Sequence, residues 1–192
     1  MSTMARAEHK LSDADAIAAS IHQPHAFAAV FERHFDRIHG YLRARLGRGL
    51  ADDLAAETFI RAFDARHRFD RSYADARPWL FAIAGNLVRE HRRGERRRLR
   101  ALGRLPLARH QPAADDAFIP SVDPTELAAA LASLRPADRD ALLLIAWAEL
   151  TYEEAAQAVG VPVGTIRSRI HRARSALRCA LHLPSDEEDH HG

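Results

Sequence analysis

At 192 residues with 47% apolar content, the chain can hold one ordinary domain or two small ones and has enough apolar side chains to fill their cores. No run of about eighteen uncharged apolar residues occurs, and the opening MSTMARAEHK has no apolar signal-peptide core, so neither membrane insertion nor export is expected and the expected location is the cytoplasm. A formal net charge of +2 conceals Arg-dense stretches at 89–104 and 167–178 and an acidic run from Asp186 to Asp189, and arginine's planar fork of donors suits phosphates and guanine edges, although solvated helix faces would also account for it.

Periodicity is helical throughout, without alternating strand patterns, so the expected fold is all-α, with two small helical domains joined by a flexible linker. Residues 1–23 read as an N-terminal arm or frayed helix. The first block, 24–98, predicts three helices at about 26–46, 51–66 and 76–98, with Gly47 and Gly49 punctuating the first junction. At the second junction Asp70, Ser72 and Asp75 precede Pro78, a residue tolerated only in the first turn of a helix, so the third helix starts near Asp75.

Within this block ADDLAAETFIRAFDARHRFD places Ala55, Phe59, Ala62 and Phe63 on one helical face and Asp53, Glu57, Ile60 and Asp64 on another. The second face combines acid with an apolar residue, which fits either solvated surface or a docking stripe for a basic helical partner. In ARPWLFAIAGNLVREHRRGERRR, Trp79, Leu80, Ile83 and Leu87 form the buried stripe, while Asn86, Arg89, Arg93 and Arg96 face outward. A polar loop, an asparagine and a run of arginines can hold an unstacked base and its backbone. Trp79 belongs to the core stripe rather than to a stacking platform.

Residues 99–123, with Pro106, Pro112 and Pro120, read as a linker. In the second block, 124–183, Thr151 and Glu154 have capping-box spacing, so a short helix starts there and stops at Gly160, and Val161 and Pro162 lead into a new helix from Val163. This is the outline of a helix-turn-helix. Ile166, Ile170, Ala173 and Leu177 make its core stripe, leaving Gly164, Arg167, Ser168, His171 and Arg172 on the free face, with Thr165, Arg169 and Arg174 flanking it. No acidic residue lies between Pro162 and Arg178, whereas a merely solvated helix mixes both signs, so DNA is the simpler partner. Residues 184–192 form an acidic tail too polar to pack.

LRPADRDALLLIAWAELTYEEAAQAVGVPVGTIRSRIHRARSAL resembles the fourth conserved region of the extracytoplasmic-function (ECF) group of bacterial RNA polymerase sigma factors, most closely in GVPVGTIRSRIHRAR. The resemblance implies binding of the minus-thirty-five promoter element, with Arg167, Ser168, His171 and Arg172 reading bases and Gly164 and Thr165 holding phosphate. The first block resembles the same family's polymerase-gripping and minus-ten regions. That implies core RNA polymerase contacts by Asp53, Glu57 and Ile60, and opened-strand contacts by Ser72, Tyr73 and Asn86 with Arg89 and Arg93 alongside. Three positions depart from the family pattern: Ala56 replaces a common glutamine, Gly85 a common arginine and Glu149 a common glycine. An inhibitory anti-sigma factor is a further implied partner.

The competing reading is a stand-alone helix-turn-helix regulator, which needs a dimer for a two-fold operator and no docking stripe. No enzyme is expected, because neither grouped carboxylates for a metal nor a nucleophile with its base stands in a convincing setting. Asp115 and Asp116 fall in the linker, His190 and His191 in the tail, and the lone Cys179 has no internal partner, so neither cofactor nor metal is expected.

Overall fold

In the computed structural model the described residues are 11–101 and 123–183. They form eight α-helices without a strand: α1 (Asp13–Ser20), α2 (Ala28–Leu46), α3 (Arg48–Ala65), α4 (Arg77–Ala101), α5 (Pro124–Ser133), α6 (Pro136–Ala146), α7 (Tyr152–Val159) and α8 (Val163–Ala180). The all-α expectation holds. Most of the expected linker and the acidic tail lie outside the described residues, as do residues 1–10.

Helices α2, α3 and α4 pack on one another as the first domain. The sharp turn between α2 and α3 needs Gly47, whose φ of 78° is closed to most side chains. At the start of α4 the Asp75 carboxylate accepts from the Arg77 N–H at 2.8 Å, supplying the cap expected ahead of Pro78.

The expected N-terminal arm turns out to contain α1. Ser12 caps it through the Asp15 N–H at 3.1 Å, and Ala16 and Ile17 are fully buried. Its first turn is pinned by Asp13, which pairs with Arg33, lies 2.7 Å from His34 Nε2 and accepts from the Ala76 N–H at 2.9 Å. One buried carboxylate therefore joins α1, α2 and the approach to α4. Eight residues make a helix too short to stand alone, so this packing is what maintains it.

In the second domain, α8 lies against α6 and α7, with α5 across its far end. Helices α5 and α6 each begin with a proline in the first turn, and Asp123 caps α5 by accepting from the Thr125 and Glu126 N–H groups. Leu127, Leu131, Leu134 and Leu181 close around Ala173. The main core runs continuously through both domains, from Ile17 and Val30 through Leu42 and Phe81 to Leu144 and Ile166. The domains meet where α4 packs on α7 and α2 on α6.

Candidate nucleic-acid and polymerase interfaces

The helix-turn-helix is built as its residues dictate. The Thr151 N–H donates to Glu154 Oε2 at 2.7 Å and the Glu154 N–H to Thr151 Oγ1 at 3.1 Å, a complete capping box. Gly160 ends α7 in the left-handed conformation at φ 73° and ψ 43°. Ile166, Ile170 and Ala173 are buried, each isoleucine contributing about 1.5–3 kcal/mol by removal from water. The opposite face is thereby turned outward: Gly164, Arg167, Ser168 and His171 are exposed, and Thr165 is half-buried at its edge.

Three side chains of this face, Arg172 included, have partners within the chain. The Ser168 hydroxyl donates to the Gly164 carbonyl at 3.0 Å. Arg172 reaches back to α6 in a bidentate pair with Asp138, at 3.1 and 2.7 Å. Asp138 is buried, and its hydrogen bonds raise the Arg172 guanidinium above its ordinary value. Arg172 thus ties α8 to α6, whereas Arg167, 3.9 Å from Glu153, stands free enough to move.

In the first domain the loop before α4 is shaped by Asp70, whose carboxylate accepts from the Ser72 N–H at 3.0 Å; this bond holds its pKa below the ordinary carboxylate value. Ser72 and Tyr73 consequently project, Tyr73 being 45% exposed despite its ring. Asn86 and Arg93 are exposed on α4, and Trp79 packs edge-on to Phe69 at 5.1 Å, part of the core as expected. Arg89 differs from its outward expectation. It is half-buried, bonded to Asn86, and lines an interdomain cavity of about 340 Å³ shared with Gly85, Tyr41 and Arg45 of the first domain and Val161 and Arg169 of the second.

On α3, Asp53 is exposed and Ile60 is 57% exposed, while Ala55, Phe59 and Ala62 are buried. Glu57 is half-buried and held by Arg61 at 2.8 Å, which also reaches Glu90 of α4 at 2.9 Å. Sequence reasoning missed an aromatic cluster of α2 that packs on Phe59 of α3. Phe31, 41% exposed, stacks near Phe35 and Phe59 at 4.9 Å from each, and Phe35 lies parallel to His39 at 5.7 Å. Four-residue spacing of Phe31, Phe35 and His39 was the available signal.

Asp13, His34 and Asp75 bring ligand-type atoms within 4.8 Å of one another. Arg33 pairs with Asp13 and Arg77 with Asp75, so two guanidiniums already neutralise the carboxylates and the set works as a structural network. No helix among the described residues is long and apolar enough to cross a membrane.

Residues 30–98 match the Sigma-70 region 2 family and residues 125–177 the Sigma-70, region 4 family. The chain is 44% identical over 130 residues to the ECF RNA polymerase sigma factor SigC of Mycobacterium tuberculosis, covering 67% of this chain and 69% of that one. It is 33% identical over 175 residues to the sigma factor EcfG of Rhodopseudomonas palustris, covering 91% and 87%. Among solved structures it resembles the sigma factor RpoE of Bartonella quintana in complex with the anti-sigma factor NepR, with a TM-score of 0.70 at 25% identity over 84% of this chain and 99% of that one. It also resembles CnrH in complex with the cytosolic domain of CnrY, with a TM-score of 0.66 at 25% identity over 90% and 99%. Two matched regions in the family order, on the helical scaffold just described, place the chain in the ECF group of RNA polymerase sigma factors, non-enzymatic proteins that direct promoter-specific transcription initiation.

Proposed function

We propose that this sigma factor grips core RNA polymerase with α3 and reads its promoter at two places. Ser72, Tyr73 and Asn86, with Arg89 and Arg93, take the opened strand of the minus-ten element. Arg167, Ser168 and His171 enter the major groove at the minus-thirty-five element, Gly164 and Thr165 sit on its phosphates, and Arg172 works from the edge of the groove while orienting α8. Polymerase carries out the chemistry, and the location is the cytoplasm, where polymerase and promoters are.

The observation that carries this reading is the pairing of two differently built surfaces on one chain: a basic outer face on α8 and an acidic stripe with the exposed Ile60 on α3. A stand-alone regulator needs the first and has no use for the second. Asp53, Glu57 and Ile60 form the polymerase contact. An anti-sigma factor is a further partner by analogy with the neighbours solved in such complexes.

The test is abortive transcription by purified core polymerase on a genomic promoter library, comparing wild type with an Asp53→Arg/Glu57→Arg double variant. Wild type is expected to yield promoter-specific starts and the variant to lose them. A chain that binds duplex DNA as a dimer but never associates with core polymerase would instead be a regulator.

A further inference from the structure

We propose that the cavity between the two domains is a binding site for a phosphate group that retains one proton, supplied as inorganic phosphate or as the end of a phosphorylated small molecule. Arg89 belongs both to this cavity and to the minus-ten surface above, but the proposal does not rest on that reading.

The cavity, about 340 Å³, has Tyr41, Arg45, Arg89, Asp140 and Arg169 among its lining residues. Four of these five are hydrogen-bond donors. Arg45 is 1% exposed; it donates to the Tyr41 hydroxyl and pairs through Nη2 with Asp140 Oδ2 at 2.5 Å, yet its Nε has no hydrogen-bond partner. The Tyr41 oxygen accepts from Arg45, so its own hydrogen still needs an acceptor. Burial holds the Tyr41 pKa above its ordinary value and keeps the group an O–H donor. Arg89 and Arg169 are half-buried. Arg89 bonds only the neutral Asn86, and no ion pair among the described residues occupies the Arg169 guanidinium.

Charge is as unbalanced as hydrogen bonding. Behind the wall, Arg92 donates to the Arg45 carbonyl at 3.3 Å, and the buried Arg139 also has an unpartnered Nε. Burial, with repulsion from Arg45, pushes the Arg92 and Arg139 guanidiniums below their ordinary pKa. Asp140 is the carboxylate that Arg45, Arg92 and Arg139 share. A water molecule can satisfy one N–H, but only an anion offsets clustered positive charge. Oxygens of a phosphate accept from several guanidiniums at once.

Asp140 Oδ1 is the exception among these donors, a buried acceptor with no partner. A phosphate oxygen that bears a proton donates to it, whereas sulfate at neutral pH has no proton to give. That is why a protonated phosphate fits better than any dianion of the same shape.

The space exists because position 85 is glycine. A Cβ there would meet Arg89 Nη1 at 3.5 Å and the Tyr41 hydroxyl at 3.9 Å, so a longer side chain would enter the cavity beside those donors. Leu144 and Val161 give the wall an apolar part that can receive the body of a small organic phosphate. A nucleic-acid backbone phosphate, tied to its chain on both sides, cannot reach a side chain as enclosed as Arg45.

The test is calorimetric titration of the full chain at about pH 6, where a phosphate ester is half protonated. The probes are inorganic phosphate, adenosine 5′-monophosphate, adenosine and, at matched ionic strength, sulfate. Wild type is expected to bind one phosphate per chain, more tightly than sulfate, and to ignore adenosine. Equal affinity for the two phosphates identifies the free anion as sufficient; tighter binding of the nucleotide identifies a phosphorylated small molecule. Gly85→Leu should abolish binding with helical circular dichroism unchanged, since leucine is a better helix former than glycine. Arg169→Gln, a second variant that leaves the core intact, should weaken binding about tenfold by removing one charge-assisted donor. No binding to wild type, or binding that survives both variants, overturns the site. Sulfate binding as tightly as phosphate overturns the protonated ligand. Neither polymerase nor DNA is present, so a failed transcription assay would leave these results standing.

Discussion

Asp13 is 4% exposed and surrounded by donors. Burial by itself pushes its carboxyl up, but hydrogen bonds from His34, the Ala76 N–H and Arg33, together with the attraction of the His34 ring, outweigh burial and bring the pKa from 3.8 down to about 2. The folded value lies below the unfolded one, so the stabilisation is fully present above about pH 4 and is lost as pH falls towards 2. After partial screening it amounts to about 1–2 kcal/mol. Asp13→Asn should therefore lower the urea midpoint at about pH 5 and approach wild type at about pH 2.5; an equal gap at both pH values would show that the carboxylate's charge is not what matters.

At the scale of elements, α8 is held by an apolar stripe and by one polar clamp, Arg172 to the buried Asp138. Removing Arg172 leaves Asp138 buried without its partner, which costs more than the pair's net contribution. Arg167, exposed beyond the end of its loose contact with Glu153, has no such duty. Arg172→Gln is accordingly expected to lower both the thermal midpoint and affinity for a promoter duplex, and Arg167→Gln to lower affinity alone, as read by circular dichroism melting beside a duplex-binding titration. Equal midpoints for the two variants would remove the clamp from the account. Sequence spacing placed both arginines on the free face of α8, and both are there; that one of them turns back to α6 depended on Asp138, thirty-four positions away, which no local pattern displays.

The whole molecule has two tryptophans, one per domain: Trp79 packs on Phe69, and Trp147 lies over Gly40 across the interface. Because the buried core passes without interruption from one domain to the other, the two halves should unfold together. Single-tryptophan variants Trp79→Phe and Trp147→Phe should each report one fluorescence transition at nearly the same denaturant concentration in the wild-type background. Adding Gly40→Leu should separate the two transitions. Separate transitions already present in the wild-type background would mean that the interface couples the domains too weakly to matter for stability.

The sequence alone determined the helical class, the two-block order and the helix-turn-helix, because these rest on local chemistry: a capping box at Thr151 and Glu154, a glycine at 160, and apolar residues recurring at helical spacing. It also brought out the exposed loop at Ser72 and Tyr73 and the acidic face of α3, since turn residues and helical faces are short-range properties. It read α1 as an arm because eight residues with a small alanine face carry little signal until a core receives them. Only the tertiary structure decided that Asp13 fastens that helix, that Arg172 is clamped, and that Glu149 meets Arg37 and Arg77 across the domain boundary. Each of those depends on side chains far apart in the chain arriving at one place, and burial and ion pairing at such distances follow from how whole helices pack rather than from the residues adjoining them.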